Sequence, residues 1–140
     1  MYNIAELPGT IRAQINGANL PMKTIGWEFS DIEPSDSLEK VKMWVEMVKS
    51  GKIIQAAGNP NCGRGLLLVG DPGHGKTTLA STVLQELLRT IPRDVIGTPE
   101  RLPLRPVYFT DYPKLLRLQK RNWEDDGESE IQNLMDGIYG

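Results

Sequence analysis

Eight consecutive residues, Gly70-Asp71-Pro72-Gly73-His74-Gly75-Lys76-Thr77, constrain this chain more than any other part of it. Its glycines free the backbone for left-handed conformations and remove the side chains that would block a close approach. Successive N–H groups from Gly73 to Thr78 can then converge on one point as an anion nest. A helix beginning at Lys76 would aim the positive end of its dipole at the same point. Asp71 and Pro72 shape the loop, and the Asp71 carboxylate itself would repel an anion. His74, the only histidine of the chain, sits at the loop tip, where its backbone N–H matters more than its ring.

The flanking residues give this loop a setting. Leu66-Leu67-Leu68-Val69 precedes it, a short continuous apolar run that fits a strand buried on both faces. A helix is predicted over 76–89, with Leu79, Ala80, Val83, Leu84, Leu87 and Leu88 in its apolar stripe and Pro92 as its stop. Val107-Tyr108-Phe109-Thr110 is a second strand candidate, rich in β-formers. It follows a connection, 91–106, that is stiffened by four prolines. A further helix starts near Asp111, with Pro113 tolerated in its first turn.

Upstream, the spacing of Leu38, Val41, Trp44, Val45 and Val48 predicts a helix over 37–50. Asp36 and Glu39 are placed as a capping box, and Gly51 ends it. Residues 1–34, punctuated by proline and glycine, read as an irregular arm with short helical turns at most. Residues 56–65 read as a Gly- and Asn-rich loop. At the other end, Glu124-Asp125-Asp126-Gly127-Glu128 is an acidic loop, and Ser129 opens a last helix carrying Ile131, Leu134, Met135 and Ile138. The expected order is helix, strand, helix, strand, helix, helix. Such alternation predicts an α/β fold with a parallel sheet flanked by helices, apparently incomplete because the chain stops at Tyr139-Gly140, where a third strand would begin.

Composition narrows the function classes. With 140 residues, one domain with a modest core is expected. A net charge of −2 gives no global basic field for nucleic acid or membrane, although a local patch is compatible with it. Cys62 is the single cysteine, which excludes an internal disulfide and a cysteine zinc cluster. Nothing at the N-terminus has the layout of a signal peptide, and no apolar run reaches the ~18 residues of a membrane helix. A cytoplasmic protein without a membrane partner is the expectation.

Strand, glycine loop and helix together make the eight residues a P-loop that cradles the phosphates of ATP. Lys76 supplies a mobile charge for the β- and γ-phosphates, and the Thr77 hydroxyl completes the coordination of magnesium. The candidate nucleotide-binding residues are therefore Gly70, Asp71, Pro72, Gly73, His74, Gly75, Lys76, Thr77 and Thr78, with Thr77 also the metal residue. Hydrolysis needs a second acidic site, which P-loop ATPases usually place after another buried strand. The only acidic pair, Asp125-Asp126, follows Arg121-Asn122-Trp123-Glu124, which is no apolar run, so no such element is recognised and the catalytic residues stay unassigned.

Residues 64–80, from Arg64-Gly65-Leu66 through the loop to Thr78-Leu79-Ala80, resemble the AAA+ ATPases of the DnaC-type helicase loaders and the IstB-type transposition helpers. Val107 to Leu116 is similar to that family's second strand and following helix. Trp27-Glu28-Phe29-Ser30-Asp31 resembles its short element near the nucleotide base. The resemblance implies an arm at 1–24, the N-terminal part of an AAA+ ATPase domain at 25–140, and ATPase activity with magnesium. It also implies partners: a replicative helicase, single-stranded DNA and further copies of the chain. Arg117, Lys120, Arg121 and Trp123 offer either a DNA-facing cluster or a solvated helix face. A transposition helper and a non-hydrolysing ATP-binding adaptor remain alternatives to the loader.

Overall fold

The computed structural model describes residues 1–53, 64–71, 73, 75–96 and 106–122. Among them lie five α-helices: α1 (Gly9–Gly17), α2 (Asp36–Lys49), α3 (Lys76–Thr90), α4 (Arg93–Ile96) and α5 (Tyr112–Asn122). Single 3-10 turns occupy Ile4–Glu6, Met22–Thr24 and Phe29–Asp31.

α3 is the centre of the packing. Val83 and Leu87, one turn apart, bury against Val41, Val45 and Val48 of α2, together with Ile53 and Ile91. The adjacent row, Leu84 and Leu88, meets Ile15, Ala18 and Leu20 from α1 and the segment after it. Two neighbouring i, i+4 rows on one helix thus serve two separate apolar clusters. α2 follows its predicted stripe, with Leu38, Val41, Val45 and Val48 buried. Its cap lies one residue earlier than the sequence suggested. Ser35 is extended and its hydroxyl accepts from the Leu38 N–H at 3.1 Å. Asp36 then falls within the first turn, where its charge favours the helix dipole.

Residues 1–34 are more regular than an arm with short turns. α1 spans nine residues, and Ile15 and Ala18 at its end are 1% and 0% exposed. Pro8 precedes the helix with its φ already near the helical value. α4 is tied back to α1 by the Arg93 guanidinium, which donates to Gln14 Oε1 at 2.9 Å.

The expected parallel sheet is not found: among the described residues there is no strand. Residues 66–69 form no ladder, and Leu67 and Val69 are 86% and 85% exposed, whereas a central strand of a parallel sheet covers both faces. Only Leu68 of this run packs on a core cluster. Residues 107–110 are engaged elsewhere. The Phe109 N–H donates to the Ala18 carbonyl at 2.8 Å, and its carbonyl accepts from Asn19 Nδ2 at 3.0 Å. Both ladder groups of Phe109 are therefore satisfied by the end of α1, and no strand partner is needed. The fold of the described residues is helical. The acidic loop, the helix from Ser129, and Asp125-Asp126 lie outside the described residues.

Leu88→Ala should destabilise the protein by about 2–5 kcal/mol, because truncating a buried leucine leaves a cavity. Met43→Ala, at a position 68% exposed, should change stability by no more than about 0.5 kcal/mol. Urea unfolding of the two variants checks the contrast; equal midpoints would contradict the second core cluster.

Candidate functional site: a cleft at the start of α3

The glycine loop enters α3 through two left-handed residues. Gly73 has φ +83° and Gly75, the N-cap of α3, has φ +81°. A Cβ at either would meet no atom within 4 Å, so backbone conformation and not space demands glycine there. Gly75 has no side chain to cap the helix, and the first-turn N–H groups of Lys76, Thr77 and Thr78 lie beyond the reach of intrahelical bonding. The Leu79 N–H is the first to bond back, to the Gly75 carbonyl at 2.9 Å. An uncapped helix start of this kind attracts anions.

Lys76 spans the loop. Its Nζ donates to the Gly70 carbonyl and, at 2.9 Å, to the Asp71 carbonyl. Two carbonyl dipoles hold the ammonium at the mouth of the helix, where an arriving anion would compete for it. Thr77 is exposed in the same turn and Thr78 half-buried. Gly70, Asp71, Gly75 and Lys76 are thus brought together. Pro72 and His74 lie outside the described residues.

The loop forms one side of a cleft of about 970 Å³. Gly70, Gly75, Lys76 and Thr78 line that side; Trp27, Asp31, Ile32 and Leu38 line the facing wall. The volume is at the upper end for small-molecule sites, which mix an apolar lining with a few polar groups. One side offers backbone N–H groups and a cation, the other an aromatic ring, aliphatic side chains and the charged residues Asp31, Glu33 and Lys40. No group of three or more His, Cys, Asp or Glu that could hold a metal ion exists among the described residues. A magnesium ion here would need oxygens of a bound ligand beside the Thr77 hydroxyl.

The facing wall is built by contacts that sequence reading missed. Asp31 Oδ2 accepts from the Glu28 N–H at 2.9 Å and closes the 3-10 turn. The Met1 ammonium reaches Asp31 at 3.1 Å and Glu28 at 3.2 Å. Glu28 also pairs with Arg89 of α3 at 3.5 Å. The Glu28 N–H and then the Met1 ammonium hold the Asp31 carboxyl below its ordinary value. Asp31 and Glu28 in turn raise the Met1 amine. Nothing periodic in the sequence marks these residues, since polar groups separated by about thirty positions leave no repeat.

α5 carries a second set of charges. Lys114, Arg117, Lys120 and Arg121 fall on this helix and no acid does. Arg117 and Lys120 are exposed, as are Tyr112 at 71% and Leu116 at 44%. Asp111 caps the helix by accepting from the Lys114 N–H at 2.7 Å. Trp123 lies outside the described residues.

Comparison with known proteins gives a related picture. The chain is 30% identical over 144 residues to RuvB-like helicase 1 of Aedes aegypti, covering 94% of this chain and 30% of that protein. It is 27% identical over 139 residues to RuvB-like helicase 1 of Neurospora crassa, covering 96% of this chain and again 30% of the relative. The chain therefore spans about a third of the length of these curated relatives. No family model and no solved structure matches it. The likeness supports the AAA+ class and does not single out the helicase loaders or the transposition helpers. Among the described residues, no helix is long and apolar enough to cross a membrane.

The Met1–Asp31 contact sets a pH window. A lowered carboxyl stabilises the fold above its ordinary value of 3.8 and loses that contribution as pH falls below it. A raised amine stabilises below its ordinary value of 8.0 and loses that contribution as pH rises past it. The melting difference between the native chain and Asp31→Asn should therefore be widest between these two values and shrink on either side. A difference independent of pH would contradict the ion pair.

Proposed function

We propose that the cleft binds ATP with magnesium, and that the chain acts as an AAA+ ATPase of the helicase-loader type. The observation that carries this reading is the Lys76 ammonium, held by loop carbonyls at an uncapped helix start and facing an aromatic wall across the cleft. In this reading Gly70, Asp71, Pro72, Gly73, His74, Gly75 and Thr78 form the backbone cradle. Lys76 leaves the loop carbonyls for the β- and γ-phosphates. The Thr77 hydroxyl takes one position on magnesium, whose charge offsets that of the phosphates. Trp27 and Ile32 flank the base. Residues 25–140 contribute this site as part of an AAA+ domain, and residues 1–24 form the arm packed on it.

Two further supports concern partners. The similar proteins carry helicase in their names, in keeping with the loader-like residues 64–80 and 107–116. The basic face of α5 has the charge that a nucleic-acid backbone requires. We therefore read single-stranded DNA and a replicative helicase as partners, with nucleotide controlling assembly, including assembly with further copies of the chain. A transposition helper would differ mainly in its partner, and a non-hydrolysing adaptor would bind ATP without turnover.

Lys76→Ala should weaken magnesium–ATP binding by at least about tenfold, or about 1.4 kcal/mol. Titration calorimetry, with quenching of Trp27 fluorescence as a second signal, measures this. Equal affinities for the native chain and the variant would refute the phosphate cradle. A single-turnover assay with the native chain separates the ATPase from the adaptor.

Arg117→Ala with Lys120→Ala should weaken single-stranded DNA binding and reduce the slope of log affinity against log salt by roughly 0.7 for each phosphate that is no longer neutralised. An unchanged slope would remove α5 from the DNA surface.

A further inference from the structure

Gln85 is 0% exposed and lies outside the cleft, yet its side chain holds the backbone that leads into the facing wall. Oε1 accepts from the Gly26 N–H at 2.9 Å and from the Tyr2 hydroxyl. Nε2 donates to the Thr24 carbonyl at 2.8 Å and to Ser81 Oγ at 3.1 Å. Both acceptor and both donor sites of the amide are occupied. The Thr24 carbonyl that receives Nε2 also accepts from the Trp27 N–H, at 3.1 Å. Thr24 and Ser81 are joined directly, hydroxyl to hydroxyl, at 2.6 Å.

The backbone at this point has little room to settle elsewhere. Gly26 has φ +99°, and a Cβ there would come within 3.1 Å of the Tyr2 carbonyl. The Tyr2 N–H closes the same knot by donating to the Gly26 carbonyl at 2.9 Å. Loss of the Gln85 amide would leave the Gly26 N–H and one Thr24 lone pair buried without a partner, and the segment would shift to recover them. Trp27 follows directly.

Lys76 and Gln85 belong to one rigid helix, nine residues apart, which is about 13 Å along the axis. The N-terminus of α3 meets one side of the cleft, and Gln85 fixes the lead-in to the other. We infer that Gln85 is a positioning residue: it sets the distance between the phosphate-binding loop and the Trp27 wall, and so makes the site select a nucleoside triphosphate over a bare polyphosphate chain. This rests on the nucleotide reading of the cleft. Other amino acids do not reproduce the clamp. Glutamate lacks the two donors and would bury a charge, and leucine lacks both donors and acceptors.

The test compares magnesium–ATP with magnesium–tripolyphosphate, which has the phosphates and no base or ribose. Gln85→Leu should weaken ATP about tenfold, as expected when buried amide hydrogen bonds are removed at one step from the ligand, and leave tripolyphosphate within about twofold. Lys76→Ala should weaken both. Tyr2→Phe removes a single bond to Oε1 and keeps the packing, so it should show the same selectivity to a smaller degree. Circular dichroism confirms that each variant is folded, and Tyr2→Phe carries the test if Gln85→Leu is not. Equal weakening of the two ligands in the folded Gln85 and Tyr2 variants, or no weakening of ATP, would overturn the inference and leave the phosphate cradle standing. Native protein that binds neither ligand would overturn the cradle and the inference together.

Discussion

α3 must be buried along its length and open at its start, and the rest of the structure answers to that demand. Two apolar rows, Val83 with Leu87 and Leu84 with Leu88, cannot be covered by one neighbour. α2 covers one and α1 with its flanking turns covers the other. Their cover reaches the first turn only at Leu79, which packs half-buried against the α2 cluster, and Gly75 leaves the helix start without a side-chain cap. The candidate site is thus the open face of a first turn that packing covers only in part. The other end is neutralised differently. Arg89 in the last turn pairs with Glu86 at 2.7 Å and lies 4.1 Å from the Tyr2 ring centroid. A cation there suits the helix dipole as well as an anion suits the start.

What the sequence made legible was the part encoded by period. Leu38, Val41, Val45 and Val48 recur at helical spacing and are buried, and of the α3 stripe Val83, Leu87 and Leu88 are buried while Leu79, Ala80 and Leu84 are half-buried. The glycine loop was legible for another reason, since positive φ at Gly73 and Gly75 is a demand few residues meet. The strands were misread because a run of four apolar residues has no period that separates strand from irregular chain. Leu67 and Val69 are exposed, and Phe109 finds its hydrogen bonds at the end of α1.

The attachment of residues 1–31 to α3 was illegible for a related reason. It depends on Thr24, Ser81 and Gln85, polar residues that a hydrophobic pattern counts as surface, although each is at most 6% exposed. Their burial is tolerated because they satisfy one another. Thr82, also buried, returns its hydroxyl to the Thr78 carbonyl at 2.7 Å. A polar run within an apolar stripe, here Ser81, Thr82 and Gln85, is the one trace such an attachment leaves in sequence.

These two modes of encoding divide the cleft. The loop side is local: its glycines, Lys76 and the threonines are contiguous, and a motif is enough to find them. The facing wall is assembled from Trp27 to Leu38 and steadied by Met1, Tyr2, Gln85 and Arg89, which no short motif links. In the proposed reading, phosphate affinity would belong to the local side, where backbone N–H groups and the Lys76 cation act on any anion of suitable shape. In the same reading, discrimination would belong to the assembled side, because an aromatic wall rewards a base only when it stands at the correct distance from the phosphates. On the proposed function, a chain that kept the motif without the polar clamp would therefore bind phosphate and lack a preference among phosphate-bearing ligands.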